Sequence, residues 1–431
     1  MKRCLTILLI LSLYILAGCN SLTDENVKPE DQKRDEAVYP EEKEEEIYDE
    51  IIERDLYIDE LMEKMTLQQK VGQVFMPAFR YDKNQLPILV LNDEIRFAIE
   101  EYHLGGIIFF SENIDTIDQT QKLIQDMQSM SNTPLFIAID EEGGMVSRLN
   151  RGTNLPATRL PGNKKLGETR EPELAYEVGK LLGRELSSLG VNMNFAPVAD
   201  INTNPKNPVI GDRSFGDEPH IVGEMVAQMV RGLQEESVSA VVKHFPGHGD
   251  TLLDTHDGAV TVPHNIERLE TIEFLPFKRG IDEEVDGVML AHLQVPNITK
   301  GSLPATFSEE IVKDLLRQEL KHDKLIITDA LEMLAISKYW APDEAAILAF
   351  KAGADILLMP QSLEKAYEGL LKAVEKEMIS IERLDASVRR ILMVKYERGI
   401  LFKNENNLDP RKILGSQEHQ KIVERILKER E

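Results

Sequence analysis

The chain has 431 residues, 42% hydrophobic and 29% charged, a globular balance with material for a large core. Lys and Arg number 50 against 75 Asp and Glu, a formal net charge of -25; so acidic a chain repels phosphate backbones, and nucleic acid is excluded as an expected partner. Two cysteines exclude a disulfide scaffold and a multi-cysteine zinc module.

In chain order, Lys2 and Arg3 precede an apolar run from Leu5 to Gly18, a charged n-region and an h-region too short for a stable membrane span. Leu16-Ala17-Gly18-Cys19 resembles a bacterial lipobox, which implies a signal peptide over 1–18, cleavage before Cys19 and lipid attachment there. An uncleaved anchor and an ordinary secretory signal are the alternatives, and each takes the protein out of the cytoplasm. Residues 20–55 hold fifteen Asp or Glu and five Lys or Arg, a net of -10. Such a stretch buries too little to offset its ordering entropy, so 19–55 reads as an acidic tether, or else as a helical extension over 41–65.

From Leu56 onward, short apolar runs recur at 71–79, 106–110, 135–140, 191–200, 238–244, 287–292, 324–329 and 355–359. Near-continuous runs suit buried parallel strands. Between them lie helical periodicities at 93–102, 116–130, 173–189, 218–236, 266–281, 309–320, 344–352 and 363–376, with two more at 58–64 and 381–396. Eight alternations predict a (β/α)8 TIM-type barrel over 56–402, with a doubly wound open sheet as its rival. The 29 residues at 403–431 read as a helical tail, too short for a second domain with its own core.

The runs end in polar groups: Asp140, Asp200, Lys243 with His244, His292 and Asp329. In a parallel αβ fold, chemistry gathers at that end of the strands. The densest cluster is Lys243-His244-Phe245-Pro246-Gly247-His248-Gly249-Asp250-Thr251, followed by Asp254-Thr255-His256. Its Pro and Gly residues predict a long loop after the fifth strand. Asp254 and His256 stand two apart, which in an extended loop puts them on one side. The carboxylate then holds the imidazole, which donates a proton to a leaving oxygen and takes one from water. A metal site on His244, His248, Asp250 and His256 is the alternative; the spacing matches no familiar zinc motif and Lys243 opposes a cation, so the site is expected to be metal-free. Asp200 suits either a sugar hydroxyl or a loop cap. His292 suits a satisfied histidine better than a pocket wall. Glu141 and Glu142 suit caps, His103, His220, His264, His322 and His419 read as surface, and Tyr339 and Trp340 suit either sugar stacking or packing under a loop.

At this loop the sequence resembles the bacterial β-N-acetylglucosaminidases of glycoside hydrolase family 3. The string from Lys243 to Thr251 with Asp254-Thr255-His256 carries the resemblance. It is seconded by Ile139-Asp140-Glu141-Glu142-Gly143-Gly144 with Arg148, by Asn192 with Phe195-Ala196-Pro197-Val198 and Asp200, by Arg213-Ser214-Phe215-Gly216 and by Ile327-Thr328-Asp329-Ala330-Leu331. The resemblance spans 56–400 and implies a retaining glycosidase that releases terminal β-linked N-acetylglucosamine. It makes Asp329 the nucleophile and His256 the acid/base paired with Asp254. Asp140, Arg148, Arg213, Lys243 and His244 become the sugar-binding set. One departure is Met145, where the family commonly has Arg.

A carboxylate and a proton donor flanking the bond are what glycoside hydrolysis needs, and a nearby cation such as Lys243 would keep Asp329 ionised. No cofactor is expected. With the exported N-terminus, the expected enzyme is a monomeric, lipid-anchored exo-β-N-acetylglucosaminidase acting outside the cytoplasm on cell-wall fragments. A phosphorylase on the same scaffold and a non-catalytic wall-binding lipoprotein are the alternatives.

Overall fold

In the computed structural model, the described residues are 41–252, 255, 258–299, 301, 303–402 and 408–428. The chain divides into two units, Met1–Glu50 and Ile51–Glu431, and the second holds the sheet and the site. Cys19 and most of the expected tether, 19–40, lie outside the described residues, as do the expected signal peptide, Asp254 and His256. The helix Glu41–Lys64 agrees with the helical alternative for 41–65. Its Ile58 and Met62 are buried, and Arg54 pairs with Glu397 at 3.1 Å. Among the described residues no helix is long and apolar enough to cross a membrane.

Among the described residues ten strands form: β1 Phe75–Met76, β2 Gly106–Phe109, β3 Phe136–Ile139, β4 Met193–Asn194, β5 Ser239–Phe245, β6 Val260–Thr261, β7 Gly287–Leu290, β8 Leu293–Gln294, β9 Leu325–Thr328 and β10 Leu357–Leu358. The main sheet runs β2-β3-β4-β5-β7-β9, parallel throughout. β6 pairs with β8 and β1 with β10. Its six strands are buried at every position, because helices cover a parallel sheet on its outer side and its own side chains fill the inner one.

This architecture corrects the expected eight-stranded (β/α)8 barrel. The fold is α/β, but its continuous sheet is a six-stranded parallel half-barrel. The first and last runs contribute only two strand residues each. At 71–79 the helix Leu67–Gln73 takes the start of the run, fixed by a capping box between Thr66 and Gln69, and Pro77 offers no N–H to a ladder. At 355–359 side chains take groups that a strand would pair: Asp355 accepts from Ile326 N at 3.0 Å and Thr328 Oγ1 from Leu358 N at 3.0 Å. Among the described residues, the single-residue bridges Ala78–Ile108 and Ile327–Ile356 flank the main sheet.

The helices follow the predicted periodicities closely. They include Asp93–Tyr102, Ile117–Met130, Pro172–Leu189, Pro219–Glu235, Pro342–Ala352, Leu363–Glu375 and Ile381–Glu397. Each buries an apolar stripe against the sheet. The 309–320 segment is wound as a π-helix over Glu310–Glu319.

The tail helix Gln417–Leu427 packs on Pro172–Leu189 through a buried polar node. Glu185 accepts from Thr158 N at 3.1 Å, Gly415 N at 3.0 Å and Thr158 Oγ1 at 2.5 Å, and it meets His419 Nδ1 at 2.9 Å. His419 is thus buried rather than on the surface. So is His322, whose Nε2 donates to Leu325 O at 2.9 Å. Burial, with Arg317 nearby, pulls the His322 ring down to about 3 and keeps it neutral.

Candidate active site

β5 breaks its register between Val242 and Phe245. In a regular strand, consecutive side chains point to opposite faces. Here Lys243 and His244 both line one cavity of about 290 Å³, together with Asp140, Arg148, Arg213 and Asp329. The structure therefore brings together every described residue expected at the site, from the ends of β3, β5 and β9 and two loops.

A chain of buried ion pairs organises the cavity. Lys243 Nζ lies 2.8 Å from Asp140 Oδ1 and 2.6 Å from Glu142 Oε1. Glu142 also accepts from Arg213, at 2.9 Å from Nε and 2.8 Å from Nη2. Arg148 Nη2 reaches Asp140 Oδ2 at 3.3 Å. Burial alone would raise the carboxyls of Asp140 and Glu142, but the cations outweigh it. Lys243 and Arg148 hold Asp140 below its usual range, and Arg213 and Lys243 hold Glu142 well below. Burial opposes the charge on Arg213, and Glu142 more than restores it.

His244 and His248 are fixed by Asp200, which is fully buried. Its Oδ2 lies 2.7 Å from His244 Nδ1, and its Oδ1 accepts from His248 N at 2.7 Å. Burial would raise the Asp200 carboxyl, but His244 holds it below its usual range. The carboxylate therefore takes the Nδ1–H of His244 and leaves Nε2 to the cavity side, 3.5 Å from Arg213 Nη2. Asp200 acts on the loop and its histidine, and is not among the residues lining the cavity.

Asp329 ends β9 at the cavity wall. Its Oδ1 accepts from Ala330 N at 2.8 Å, and its N–H donates to Leu290 O at 3.0 Å. This anchors the carboxylate at the strand end. Lys243, expected to be its cation, is engaged by Asp140 and Glu142 instead.

The glutamates before the glycine pair divide their work. Glu141 Oε2 accepts from Arg148 N at 2.7 Å and Leu149 N at 3.0 Å, so it caps the loop as expected, and burial pushes its carboxyl up to about 7. Glu142 instead joins the ion pairs. Gly144, at φ 58°, approaches Gly162 so closely that a Cβ would stand 2.6 Å from its Cα, which turns the loop back over the site. Met145 is 58% exposed and does not line the cavity.

The sequence marked Glu142 as a cap and His248 as a ligand of the alternative metal site, and it gave Arg80, Phe110, Thr255 and Glu332 no role at the site, yet all six line the cavity. Arg80 follows the first apolar run, so the rule that picked out Asp140 and Asp329 would have found it. The guanidiniums of Arg80 and Arg148 lie 4.5 Å and 5.0 Å from the Phe110 ring centre. Burial lowers the His248 ring against the pull of Asp200. His292 is satisfied, with Nδ1 2.7 Å from Thr306 Oγ1 and Nε2 3.0 Å from Ala330 O.

Residues 66–394 match the Glycosyl hydrolase family 3 N terminal domain. The chain belongs to that family. This family 3 chain is a glycoside hydrolase. It is 36% identical over 368 residues to Beta-hexosaminidase A of Pseudoalteromonas piscicida, covering 77% of itself but only 61% of that relative. It is 34% identical over 325 residues to Beta-hexosaminidase LpqI of Mycobacterium tuberculosis, covering 72% of itself and 81% of that protein. Among solved structures, a family 3 β-N-acetylglucosaminidase from Paenibacillus sp. superposes on the family 3 chain with a TM-score of 0.78 and 44% identity. That match covers 84% of this chain and 68% of the other.

Proposed function

We propose that the protein is a retaining exo-β-N-acetylglucosaminidase that releases terminal N-acetylglucosamine from cell-wall fragments. The observation that carries this reading is the single cavity in which the buried Asp140–Lys243–Glu142–Arg213 network faces Asp329. At about 290 Å³, it lies at the small end of ligand pockets and suits one terminal sugar better than a chain. The ion-paired side chains hold fixed donors and acceptors for hydroxyl and acetamido groups. Asp329 attacks the anomeric carbon as the glycosidic bond breaks, forming a covalent glycosyl-aspartate, and water then releases the sugar. The leaving oxygen takes its proton from His256, paired with Asp254, in a role that rests on the motif these residues share with the family. The relatives' names support the sugar, and the lipobox-like Leu16–Cys19 supports an anchor outside the cytoplasm and hence the cell-wall substrate.

Asp329→Asn is the test. The variant should lose at least about 10³-fold in kcat on an aryl N-acetyl-β-glucosaminide while still binding N-acetylglucosamine in calorimetry. Activity near wild type would reject Asp329 as the nucleophile.

A further inference from the structure

Residues 408–428 lie beyond the 66–394 stretch that matches the family domain, yet they touch the loop that carries Arg148. Asp409 caps the short helix Pro410–Ile413, Arg411 pairs with Asp118, and Leu414 is buried. Gly415, at φ 63°, then turns the chain into the helix Gln417–Leu427. A Cβ on Gly415 would stand 2.2 Å from Pro156 O. The backbone of the tail therefore lies directly on the 149–162 loop, at a place where only glycine fits.

The buried Glu185 joins tail and loop. Its Oε1 accepts from Gly415 N at 3.0 Å and from the Thr158 hydroxyl at 2.5 Å, and meets His419 Nδ1 at 2.9 Å. Thr158 hands the constraint on. Its carbonyl accepts from Asn150 Nδ2 at 3.0 Å, and the same amide reaches Ser147 Oγ at 3.3 Å. Asn150 and Ser147 flank Arg148 and Leu149, whose N–H groups donate to Glu141 at 2.7 Å and 3.0 Å. Ser111 Oγ donates to Arg148 O at 3.1 Å. The backbone of Arg148 is thus held on several sides. Its guanidinium is held more loosely, by Asp140 at 3.3 Å and by the Phe110 ring face at 5.0 Å. A binding group with so few contacts of its own takes its place from the backbone that carries it.

Resting on the activity proposed above, we infer that the tail segment around Gly415 and His419 is a positioning element of the sugar site, acting through Glu185 and Thr158 on the loop that aims Arg148 into the cavity. Glu185, Thr158 and Gly415 are positioning residues, since none of them lines the cavity. Arg148 meets the bound sugar, and Asp329 carries the bond-breaking step. Loosening the tail contact therefore removes binding that the sugar enjoys before and during cleavage alike, which weakens affinity and leaves turnover nearly unchanged.

The experiment uses the full chain, an aryl N-acetyl-β-glucosaminide for kinetics and N-acetylglucosamine for calorimetry. Gly415→Ala pushes a methyl group against Pro156 O. It should raise KM and the Kd of the sugar about fivefold, with kcat within about twofold of wild type. Thr158→Val is the milder variant, which keeps the side chain's size and removes only the hydroxyl donor. It should raise both values about twofold to threefold, while Thr158→Ser, which keeps the hydroxyl, should match wild type. Ile426→Ala is the control. It loosens the buried far end of the tail helix and changes neither Glu185 nor its partners, so it should lower the melting temperature and leave KM unchanged. In an Arg148→Ala background the effects of Gly415→Ala and Thr158→Val on Kd should vanish. Wild-type KM and Kd in both variants would overturn the inference. Losses shared by Ile426→Ala, or persisting in full without Arg148, would overturn it too, because the tail would then act only on overall stability. A wild-type protein that neither cleaves the aryl substrate nor binds N-acetylglucosamine would instead overturn the activity on which the inference rests.

Discussion

Replacing Glu142 by Gln keeps the side chain's size and removes its charge. The Glu142 side chain is 1% exposed, beside Lys243 at 2% and Arg213 at 14%. It lies 2.6 Å from Lys243 Nζ and 2.8 Å from Arg213 Nη2. Without it, Lys243 keeps Asp140 at 2.8 Å while Arg213 loses the carboxylate it is paired with, and the repulsion between the two cations is no longer balanced. Removing one partner of a buried pair costs about 3–5 kcal/mol, because the remaining charge stays buried and uncompensated. Urea denaturation at pH 7 should show a midpoint drop of that size with an unchanged slope, and kcat/KM on the aryl substrate should fall as Lys243 and Arg213 lose their positions. Adding Lys243→Met to the variant should recover part of the loss, so that the two changes cost about 1–3 kcal/mol less together than separately. The pH dependence has a defined sign. The cations hold the folded carboxyl below its usual value, so its contribution is complete above about pH 5 and is lost as pH falls through the carboxylate range. The acid limb of the stability curve should therefore be shallower in Glu142→Gln than in wild type. A loss below about 1 kcal/mol, as for an exposed pair, with an unchanged acid limb, would refute the argument that this network is held by mutual charge.

Two further predictions concern the fold. Glu185→Ala should cost about 3 kcal/mol, because the buried N–H groups of Thr158 and Gly415 lose their acceptor; a urea midpoint equal to wild type would show that the tail helix is held by its apolar face alone. Lys395 is fully buried, its ammonium bonds Gln73 Oε1 at 3.0 Å, and burial pulls it down to about 7. Because the unfolded lysine holds its proton up to about pH 10, stability should rise with pH across that window. Lys395→Met should flatten the rise in denaturation midpoints measured from pH 7 to 10, and an unchanged slope would assign it to other groups.

The alternation of buried runs with amphipathic segments made the α/β class and most helices legible, since burial on both faces and a 3.6-residue stripe are local properties. Asp140, Lys243, His244 and Asp329 were legible as well, because each closes an apolar run where a parallel strand hands over to its loop. The number of strands in the sheet was not. Whether residues 355–359 pair as a full strand depends on which groups take the backbone N–H at this edge; Thr328 takes that of Leu358 and Asp355 that of Ile326, and both enter the competition only after folding. The same holds within the site. Glu142 meets Arg213 across 71 positions, and Asp200 meets His244 across 44. Partnerships at that separation leave no spacing in the chain, because only the tertiary packing brings the charges close enough, and far enough from water, to bind one another.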